Sequence, residues 1–363
     1  MRFSSAALTR AVEPEDGFDD SDLLLPQDPF ERELDLFRQR LVNPRTAVER
    51  RILTPQEWLD DPYYSGGLGQ YDPHTRTGCW PETRRTFIEI TSRPDFWEIG
   101  LTGAFGTGKT DLAIRLVPYW LYQLSCYADP QALMGLQAHS VLAFVLINTN
   151  RIKAERKLYK PIRSAIRRAP YFQECFPWDP KVESHFRFPK NIEVWCGVTD
   201  PETIRGEDVV VVVIDECNFL EVVSRSHRDK EGLVFDAAEE IYEAARRRQQ
   251  SRFLGVALWA PKIVLLSSRD RPHDFLERRE LEIREGAEIL GDIDNQIVVN
   301  PVKKSIFFSK ALWRAVPQGR YSDETFRVEV GGDNRRSRIL GPAEAVSTEA
   351  RVVEVPTDFR PVF

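Results

Sequence analysis

A glycine-rich loop in the first half of the chain has the residue types that bind phosphate. Its sequence is GAFGTGKT, residues 103–110, and it fits the pattern G-x-x-x-x-G-K-[ST] at every fixed position. Glycines let consecutive backbone N–H groups point at phosphate oxygens, and a helix that begins at the lysine adds its positive end. The predicted nucleotide-binding residues are Gly103, Ala104, Phe105, Gly106, Thr107, Gly108, Lys109 and Thr110.

The lysine and the threonine of this loop have separate predicted roles. Lys109 reaches the β- and γ-phosphates of a bound nucleotide, and the hydroxyl of Thr110 binds Mg²⁺. An ordinary glycine turn between a strand and a helix is the alternative interpretation. The flanking residues favour the phosphate loop, because an apolar segment at 96–102 precedes it and a helical pattern at 109–124 follows it.

A second candidate site lies at the end of a valine run, DVVVVVIDE, residues 208–216. A metal opposite the threonine needs a carboxylate, so Asp215 is the predicted second Mg²⁺ ligand. Glu216 is the predicted base that orients and polarises a water. Alone, such a run is more often a core strand that ends in solvent. The upstream phosphate loop favours the catalytic interpretation, and the glutamate favours hydrolysis of ATP over a small-molecule kinase activity.

The elements that must position these residues alternate along the chain. Apolar runs predict strands at 96–102, 140–148, 192–198, 208–216 and 262–268. Helical patterns lie at 81–93, 109–124, 152–168 and 237–250. Near-continuous Val, Ile and Leu runs separated by helices are typical of a parallel sheet covered on both faces. The prediction is an α/β P-loop NTPase of the ASCE type, with a mainly parallel central sheet flanked by helices.

The regions outside this core differ from it in composition. Residues 1–27 are rich in acidic residues, Ser and Pro, which predicts a disordered arm. Residues 28–78 form a predicted helical extension, with one helix at 31–42, a second that Thr54 and Glu57 cap, and a loop at 65–78. The ATPase domain is predicted at 79–340. The helical and strand patterns weaken after residue 279, and 341–363 form a predicted tail or linker.

Composition excludes several other classes of protein. The longest wholly apolar run, residues 209–214, is far shorter than the roughly 20 residues of a spanning helix, and no signal peptide is evident. We therefore expect an intracellular protein. The five cysteines show no CxxC spacing, which predicts reduced thiols and no zinc site. A formal net charge of -6 argues mildly against a protein that coats nucleic acid.

Three segments taken together resemble the ATPase domain of the large terminase subunit of tailed bacteriophages, from about residue 80 to about residue 280. They are an Arg-Gly pair before the acidic strand, the Asp-Glu-Cys-x-Phe ending, and a later strand that closes in serines followed by Pro and an aromatic residue. The matching positions are Arg205, Gly206, Asp215, Glu216, Cys217, Phe219, Ser267, Ser268, Pro272 and Phe275.

The resemblance implies a DNA-packaging motor that uses ATP and Mg²⁺ to move double-stranded DNA into the procapsid. The implied partners are the phage portal protein and the small terminase subunit, with a ring of copies on the portal and a possible monomer in isolation. The implied location is the host-cell cytoplasm, on assembling procapsids. Family members continue into an RNase H-like nuclease domain, which the residues after 268 are too few to form, so no nuclease activity is expected in this chain.

The resemblance also implies roles for three further residues. Arg205 is the candidate arginine finger, in its own site or in a neighbouring subunit's site; a surface pair with Glu202 or Glu207 is the alternative. Ser267 and Ser268 are the candidate residues that couple hydrolysis to motion, and plain strand-end serines are the alternative.

Other functions stay open on the sequence alone. A helicase-like or other DNA-dependent translocase would have the same nucleotide site. An ATP-gated assembly module would use the nucleotide for binding and not for sustained work. Arginine clusters at 163–168, 246–248 and 278–279 could follow a DNA backbone or could be solvated helix faces.

Overall fold

The computed structural model describes residues 47–72, 77–103, 108–182, 184–220, 222–224, 234–253, 259–268, 273–291 and 295–310. The predicted arm at 1–27, the predicted helix at 31–42 and the predicted tail at 341–363 lie outside the described residues. So do residues 104–107 of the phosphate loop. Within the described residues, no helix is both long enough and apolar enough to pass through a membrane.

Nine strands form one central sheet. The thirteen described strands are β1 (Tyr71–Asp72), β2 (Thr77–Gly78), β3 (Glu98–Thr102), β4 (Leu142–Ile147), β5 (Phe186–Phe188), β6 (Ile192–Cys196), β7 (Asp208–Asp215), β8 (Val222–Ser224), β9 (Val234–Asp236), β10 (Lys262–Ser267), β11 (Glu288–Leu290), β12 (Asn295–Asn300) and β13 (Ser305–Lys310). The order across the central sheet is β11-β12-β13-β3-β10-β7-β4-β6-β5. The pairs β1–β2 and β8–β9 each form a separate two-stranded sheet.

The middle of this sheet is parallel and its two edges are antiparallel. The pairs from β13 through β3, β10, β7 and β4 to β6 are all parallel. Strands β5, β11 and β12 pair antiparallel at the edges. Strand β10 lies between the phosphate-loop strand β3 and the acidic strand β7, so an additional strand separates the two halves of the predicted site. The predicted α/β fold with a mainly parallel sheet is confirmed.

Helices cover both faces of the sheet. They are α1 (Pro55–Asp60), α2 (Pro62–Ser65), α3 (Pro81–Thr91), α4 (Lys109–Ser125), α5 (Pro130–Leu133), α6 (Arg151–Ala154), α7 (Lys160–Arg168), α8 (Tyr171–Glu174), α9 (Ala237–Arg252) and α10 (Phe275–Arg284). A π-helical segment, Glu155–Tyr159, joins α6 to α7. The apolar side chains of α4 belong to the core on one face, and those of α9 and α10 to the core on the other.

The position of β7 between two layers of helices explains why its sequence is a continuous run of valines. Val211 and Val213 belong to the core that contains α4, whereas Val212 and Ile214 belong to the core that contains α9 and α10. Because side chains alternate along a strand and both faces are covered, every position is apolar. The same alternation places Asp215 on the face that α4 covers.

The N-terminal part of the described chain packs into the core of the sheet. The predicted cap is confirmed: the Thr54 hydroxyl accepts from Glu57 N, and the Glu57 side chain accepts from Thr54 N. Trp58 and Leu59 are fully buried in the same cluster as the apolar residues of α4. The predicted loop at 65–78 is wrong in one part, because residues 71–72 and 77–78 pair as β1 and β2.

The largest error of the sequence analysis concerns the region after residue 279. Helix α10 continues to Arg284, and three more strands follow it into the central sheet. Strand β13 lies directly beside the phosphate-loop strand, where the ring of Phe307 covers Gly100 so closely that a Cβ at Gly100 would lie 2.3 Å from a ring carbon. Strand β11 is a short edge strand with exposed side chains, so it has a weak apolar pattern. Strands β12 and β13 contain only short apolar runs between polar residues, although Val298, Ile306 and Phe308 are fully buried.

Candidate functional site

The candidate site lies at the carboxyl ends of the parallel strands, where β3 gives way to the glycine loop and α4 begins. Gly108 has a φ of 106°, a left-handed backbone that favours glycine, and it immediately precedes Lys109 at the start of α4. The amino end of the helix, with its partial positive charge, therefore lies at the carboxyl end of β3.

Lys109 is buried at this helix start. Its Nζ donates to the carbonyl oxygen of Gly103 at 2.9 Å and to the Oγ of Ser268 at 3.0 Å. Burial lowers the pKa of the Lys109 ammonium to about 7, although the nearby Asp215 and Glu216 carboxylates act in the opposite direction. Desolvation outweighs these two carboxylates, and the negative charge of a bound polyphosphate would further favour the charged ammonium.

Thr110 and Asp215 face each other across this space. The Thr110 hydroxyl lies 3.3 Å and 3.4 Å from the two carboxylate oxygens of Asp215. Burial and the charge of neighbouring Glu216 raise the pKa of Asp215 to about 6, against the opposing effects of Lys157 and Lys109. The structure thus brings together the hydroxyl and the carboxylate that the sequence analysis assigned to one metal ion.

Asn148 is a site residue that the sequence analysis missed. It follows the last residue of β4 and is buried, and its Nδ2 donates to Asp215 Oδ2 at 3.0 Å. Phe144 and Leu146 of β4 lie on the face that α4 covers, so the alternation of side chains brings Asn148 to the same face as Asp215. A signal was present, because Asn148 is a polar residue directly after a buried strand. The sequence analysis looked only for carboxylates there.

Glu216 sits on a sharp turn and is held by lysines. Its φ of 57° is left-handed, a conformation that non-glycine residues rarely adopt. Its Oε1 accepts from Lys157 Nζ at 2.6 Å, and its Oε2 lies 3.6 Å from Lys153 Nζ. The predicted base is therefore close to Asp215 but paired with two cations that the sequence analysis did not connect with it.

The two lysines come from the unusual helical segment after β4. Lys153 belongs to α6, and Lys157 belongs to the π-helical segment that follows. Residues four apart project from one side of a helix, so both ammonium groups can reach the same carboxylate. π-Helical segments are rare in helices and occur frequently at functional sites.

The two serines at the end of β10 point in opposite directions. The Oγ of Ser268 accepts a hydrogen bond from Lys109 Nζ, on the side of β10 that faces the candidate site. The Oγ of Ser267 accepts from the backbone N–H of Asn218 at 3.2 Å. Asn218 also donates to the carbonyl oxygen of Ser268 at 2.9 Å and accepts from Leu276 N at 2.9 Å. Adjacent side chains alternate along a strand, so one serine contacts the site and the other contacts the turn after Glu216.

The family of the chain follows from a comparison of its sequence with family models. The model described as "Uncharacterized protein MJ0330, N-terminal P-loop domain" matches residues 94–314, more than half of the chain. The chain belongs to this P-loop domain family. The matched residues begin just before β3 and end just after β13, so they contain every strand of the central sheet. A comparison with curated protein sequences gives no significant match.

Three solved structures of phage terminases are similar to this P-loop domain at low identity. The large terminase from a thermophilic bacteriophage, in complex with ADP, has a TM-score of 0.38 and 10% identity, over 63% of this chain and 44% of that chain. The HK97 bacteriophage large terminase has a TM-score of 0.40 and 15% identity, over 64% and 40%. A second crystal form of the thermophilic phage enzyme has a TM-score of 0.42 and 9% identity, over 69% and 52%. This chain thus spans about half or less of their length.

Arg205 does not join the site of its own P-loop domain. Asp208, three residues later, begins β7, and Asp215 ends it, which places those two residues about 23 Å apart. Three residues of chain reach at most about 11 Å, so Arg205 cannot span this distance. Its neighbours Gly206 and Glu207 are hydrogen-bonded to Arg248 at the amino end of β7. The guanidinium of Arg205 is more than half exposed and pairs with Glu202. A role of Arg205 within its own site would need a large rearrangement.

The arginine clusters are largely occupied by contacts within the domain. Arg279 is buried against Glu98, and Arg278 pairs with Asp236 at 2.8 Å. Arg248 donates to the carbonyl oxygens of Gly206 and Glu207. On the remaining helix, Arg163 and Arg167 lie over the rings of Phe186 and Trp178. These contacts favour a structural role for most of the cluster members.

The side chains present fit Mg²⁺ bound together with a nucleotide. Within the described ranges, no three His, Cys, Asp or Glu side chains are grouped closely enough to hold a metal ion. Mg²⁺ does not need such a group, because it is usually held by one or two protein oxygens, several waters and the substrate phosphates. Thr110 and Asp215 offer a hydroxyl and a carboxylate, and the raised pKa of Asp215 indicates that its negative charge is not fully compensated.

Proposed function

We propose that this P-loop domain hydrolyses ATP with Mg²⁺. The observation that carries the proposal is that Lys109, Thr110 and Asp215 meet at the carboxyl edge of the sheet, with the Thr110 hydroxyl 3.3 Å from the Asp215 carboxylate. A cation, a hydroxyl and a carboxylate gathered at a helix start form the site that a magnesium triphosphate requires.

Each residue has one task in this proposal. Lys109 neutralises charge on the β- and γ-phosphates, and the backbone N–H groups at the start of α4 bind phosphate oxygens. Thr110 and Asp215 would hold Mg²⁺, which supplies further positive charge when bound, and Asn148 keeps the Asp215 carboxylate oriented. Glu216 accepts the proton of the attacking water. Its carboxylate must first separate from Lys157, because a carboxylate paired with an ammonium is a poor base.

We further propose that hydrolysis drives translocation of double-stranded DNA, as in the large terminase subunit. The three motif segments that resemble that subunit support this proposal, and two of them contain site residues, Glu216 in one and Ser268 in the other. The proposed partners are the portal protein and the small terminase subunit, on procapsids in the host cytoplasm. In a ring of copies, the exposed Arg205 would contact the ATP site of a neighbour.

One set of assays tests the two parts of this proposal separately. Hydrolysis is measured with purified chain, ATP and Mg²⁺, with and without double-stranded DNA, portal and small subunit. We expect double-stranded DNA and the portal protein to accelerate the turnover of ATP. Absence of turnover under every condition would contradict an ATPase. Turnover that none of these partners accelerates would favour an ATP-gated assembly module, and directional strand separation would favour a helicase-like translocase.

A further inference from the structure

Asn218 lies two residues after Glu216 and connects three parts of the domain. It belongs to the short 3₁₀ turn Cys217–Phe219 and is largely buried. Its backbone N–H contacts Ser267, its side-chain N–H contacts the carbonyl of Ser268, and its side-chain oxygen accepts from Leu276 N. No motif of the sequence analysis assigned this residue a role.

These contacts fix the turn that carries Glu216. Glu216 has a left-handed backbone conformation, which costs free energy for a non-glycine residue and persists only where its surroundings hold it. Phe219 N donates to the carbonyl oxygen of Glu216 at 2.9 Å, and the side chain of Asn218 attaches the same turn to the end of β10 by donating to the carbonyl oxygen of Ser268 at 2.9 Å. The direction of the Glu216 side chain therefore depends on bonds made by Asn218.

The same asparagine connects the turn to a residue that contacts the phosphate-loop lysine. Lys109 Nζ donates to the side-chain oxygen of Ser268, while Asn218 donates to the backbone oxygen of Ser268. A nucleotide that attracts Lys109 away from Ser268 would change the contacts of this residue. Asn218 would transmit that change to the turn and, through Leu276 N, to the first turn of α10.

We propose that Asn218 is a positioning residue that holds Glu216 in its reactive direction and links nucleotide binding at Lys109 to the start of α10. This inference rests on the proposed ATPase function. A purely structural role is the competing explanation, because a buried asparagine that bonds a helix N–H also stabilises the fold.

A matched control exists at the opposite end of α10. Asn300 is also buried, and its side chain makes three hydrogen bonds, one more than the side chain of Asn218: its Nδ2 donates to the carbonyl oxygens of Ile283 and Glu285, and its Oδ1 accepts from Lys303 N. Asn300 pairs with Ser305 at the amino end of the sheet, away from the site. Asn300→Ala should therefore cost at least as much stability as Asn218→Ala without touching the reaction.

The experiment compares Asn218→Ala, Asn218→Asp and Asn300→Ala with the unaltered chain. Single-turnover ATP hydrolysis, affinity for ATP-γ-S with Mg²⁺, and hydrogen exchange of the first α10 amides are measured. We expect both Asn218 variants to bind ATP-γ-S within about threefold of the unaltered chain and to hydrolyse ATP at least about tenfold more slowly. Asn218→Asp keeps the oxygen that accepts from Leu276 N but loses the N–H group that donates to Ser268. We therefore expect the first α10 amides of this variant to stay protected from hydrogen exchange, and their exchange to be unchanged by ATP-γ-S. Asn300→Ala should keep the normal rate of ATP hydrolysis and the change in α10 hydrogen exchange that ATP-γ-S causes.

Several results would overturn the inference. Hydrolysis within about twofold of normal in Asn218→Ala would show that the residue does not position Glu216. An equal loss of hydrolysis in Asn300→Ala, at an equal melting temperature, would show that stability alone explains the effect. An unaltered chain that binds no nucleotide would contradict the proposed function itself, and this inference with it.

Discussion

The two ends of the central sheet both bury charged side chains, but they differ in how those charges are compensated. At the amino ends, Glu98 accepts from Tyr242 at 2.8 Å and Ser305 at 2.9 Å, and its carboxylate lies 2.9 Å from Arg279. Asp208 is similarly paired with Arg252 at 2.7 Å. At this end each of these buried carboxylates has a cation from the chain itself.

The carboxyl ends leave their charges incompletely compensated. Burial shifts the pKa of Lys109 down to about 7 and that of Asp215 up to about 6, so each favours its neutral form more than usual. Buried charges cost stability unless they are paired, and a domain keeps such a cost where a ligand later supplies the missing charge. Lys262 at the amino end has an equally lowered pKa, so what distinguishes the ligand site is a cation and a carboxylate with shifted pKa values that lie together at a helix start.

The largest expected effect is that of Lys109→Met, which removes the cation of the site. We expect the affinity for ATP to fall at least about a hundredfold, because a charged contact to phosphate is lost. A lysine with a depressed folded-state pKa is protonated in the unfolded chain at neutral pH and less so in the folded chain, which opposes folding. Methionine removes this penalty, so the nucleotide-free variant should melt about 2–6 °C higher by calorimetry.

Lys262 provides the matched control at the other end of the sheet. It is also buried, with a pKa that burial lowers to about 7, but its Nζ donates to the carbonyl oxygens of Pro94 at 2.5 Å and Phe96 at 2.6 Å. Lys262→Met should leave ATP affinity within about twofold. If it weakens ATP binding as much as Lys109→Met does, the distinction between the two ends is lost.

The second effect concerns Glu216 and compares it with Glu98. Glu216→Gln should retain ATP affinity and slow hydrolysis at least about a hundredfold, because the base is gone. Glu98→Gln should leave hydrolysis per folded molecule unchanged and lower the free energy of unfolding by about 3 kcal/mol, since the charge of Arg279 loses its buried partner. Turnover and urea unfolding are measured for both variants, and normal turnover in Glu216→Gln would remove its assignment as the base.

A third effect, of about tenfold, is expected at Asn148. Asn148→Leu removes the donor to Asp215 Oδ2 and leaves that carboxylate oxygen without its orienting bond. We expect the Mg²⁺ concentration for half-maximal ATP binding to rise about tenfold, the range found for residues that orient metal ligands. A magnesium titration checks this, with an unchanged melting temperature as the control. If the variant needs the same Mg²⁺ concentration as the unaltered chain, Asn148 does not orient a metal ligand.

A smaller effect is expected in proton uptake. With a pKa of about 7, Lys109 is mostly neutral at about pH 8, and bound polyphosphate favours its charged form. Binding at this pH should therefore take up a proton, and affinity should weaken as pH rises above about 7. Calorimetric titrations with ATP-γ-S in buffers of different ionisation enthalpy measure the uptake. Proton release under these conditions would contradict the lowered pKa of Lys109 in the nucleotide-free chain.

The smallest effect is expected for Arg205→Ala in the isolated chain. Arg205 is an exposed residue that pairs with Glu202, so the melting temperature should change by about 1 °C or less. Turnover of a single chain should also stay the same, because Arg205 lies at the other end of the sheet. Slower turnover only in assembled rings would support action on a neighbour. A large loss in a verified monomer would show that Arg205 reaches its own site.

Sequence patterns predicted much of the fold and both the phosphate-loop and the acidic residues of the site. The glycine loop, the valine strand and the pair Asp215 and Glu216 carry local signals, since a phosphate loop needs glycines and a doubly covered strand needs apolar residues at every position. Strands β11 to β13 were not predicted, because β11 is short and exposed and the apolar runs of β12 and β13 are brief. Asn148, Lys157 and Asn218 were missed because each acts through a partner far away in the sequence.

The sequence by itself determined which residue types can hold a magnesium triphosphate and which segments form the five parallel strands β3, β4, β6, β7 and β10. Only the tertiary structure decided that Asn148 orients Asp215, that Lys157 holds Glu216, and that Arg205 lies near the amino end of β7, away from the site. The physical reason is that composition and period are local properties of a chain. The compensation of a buried charge depends on which distant groups the packed strands and helices bring beside it.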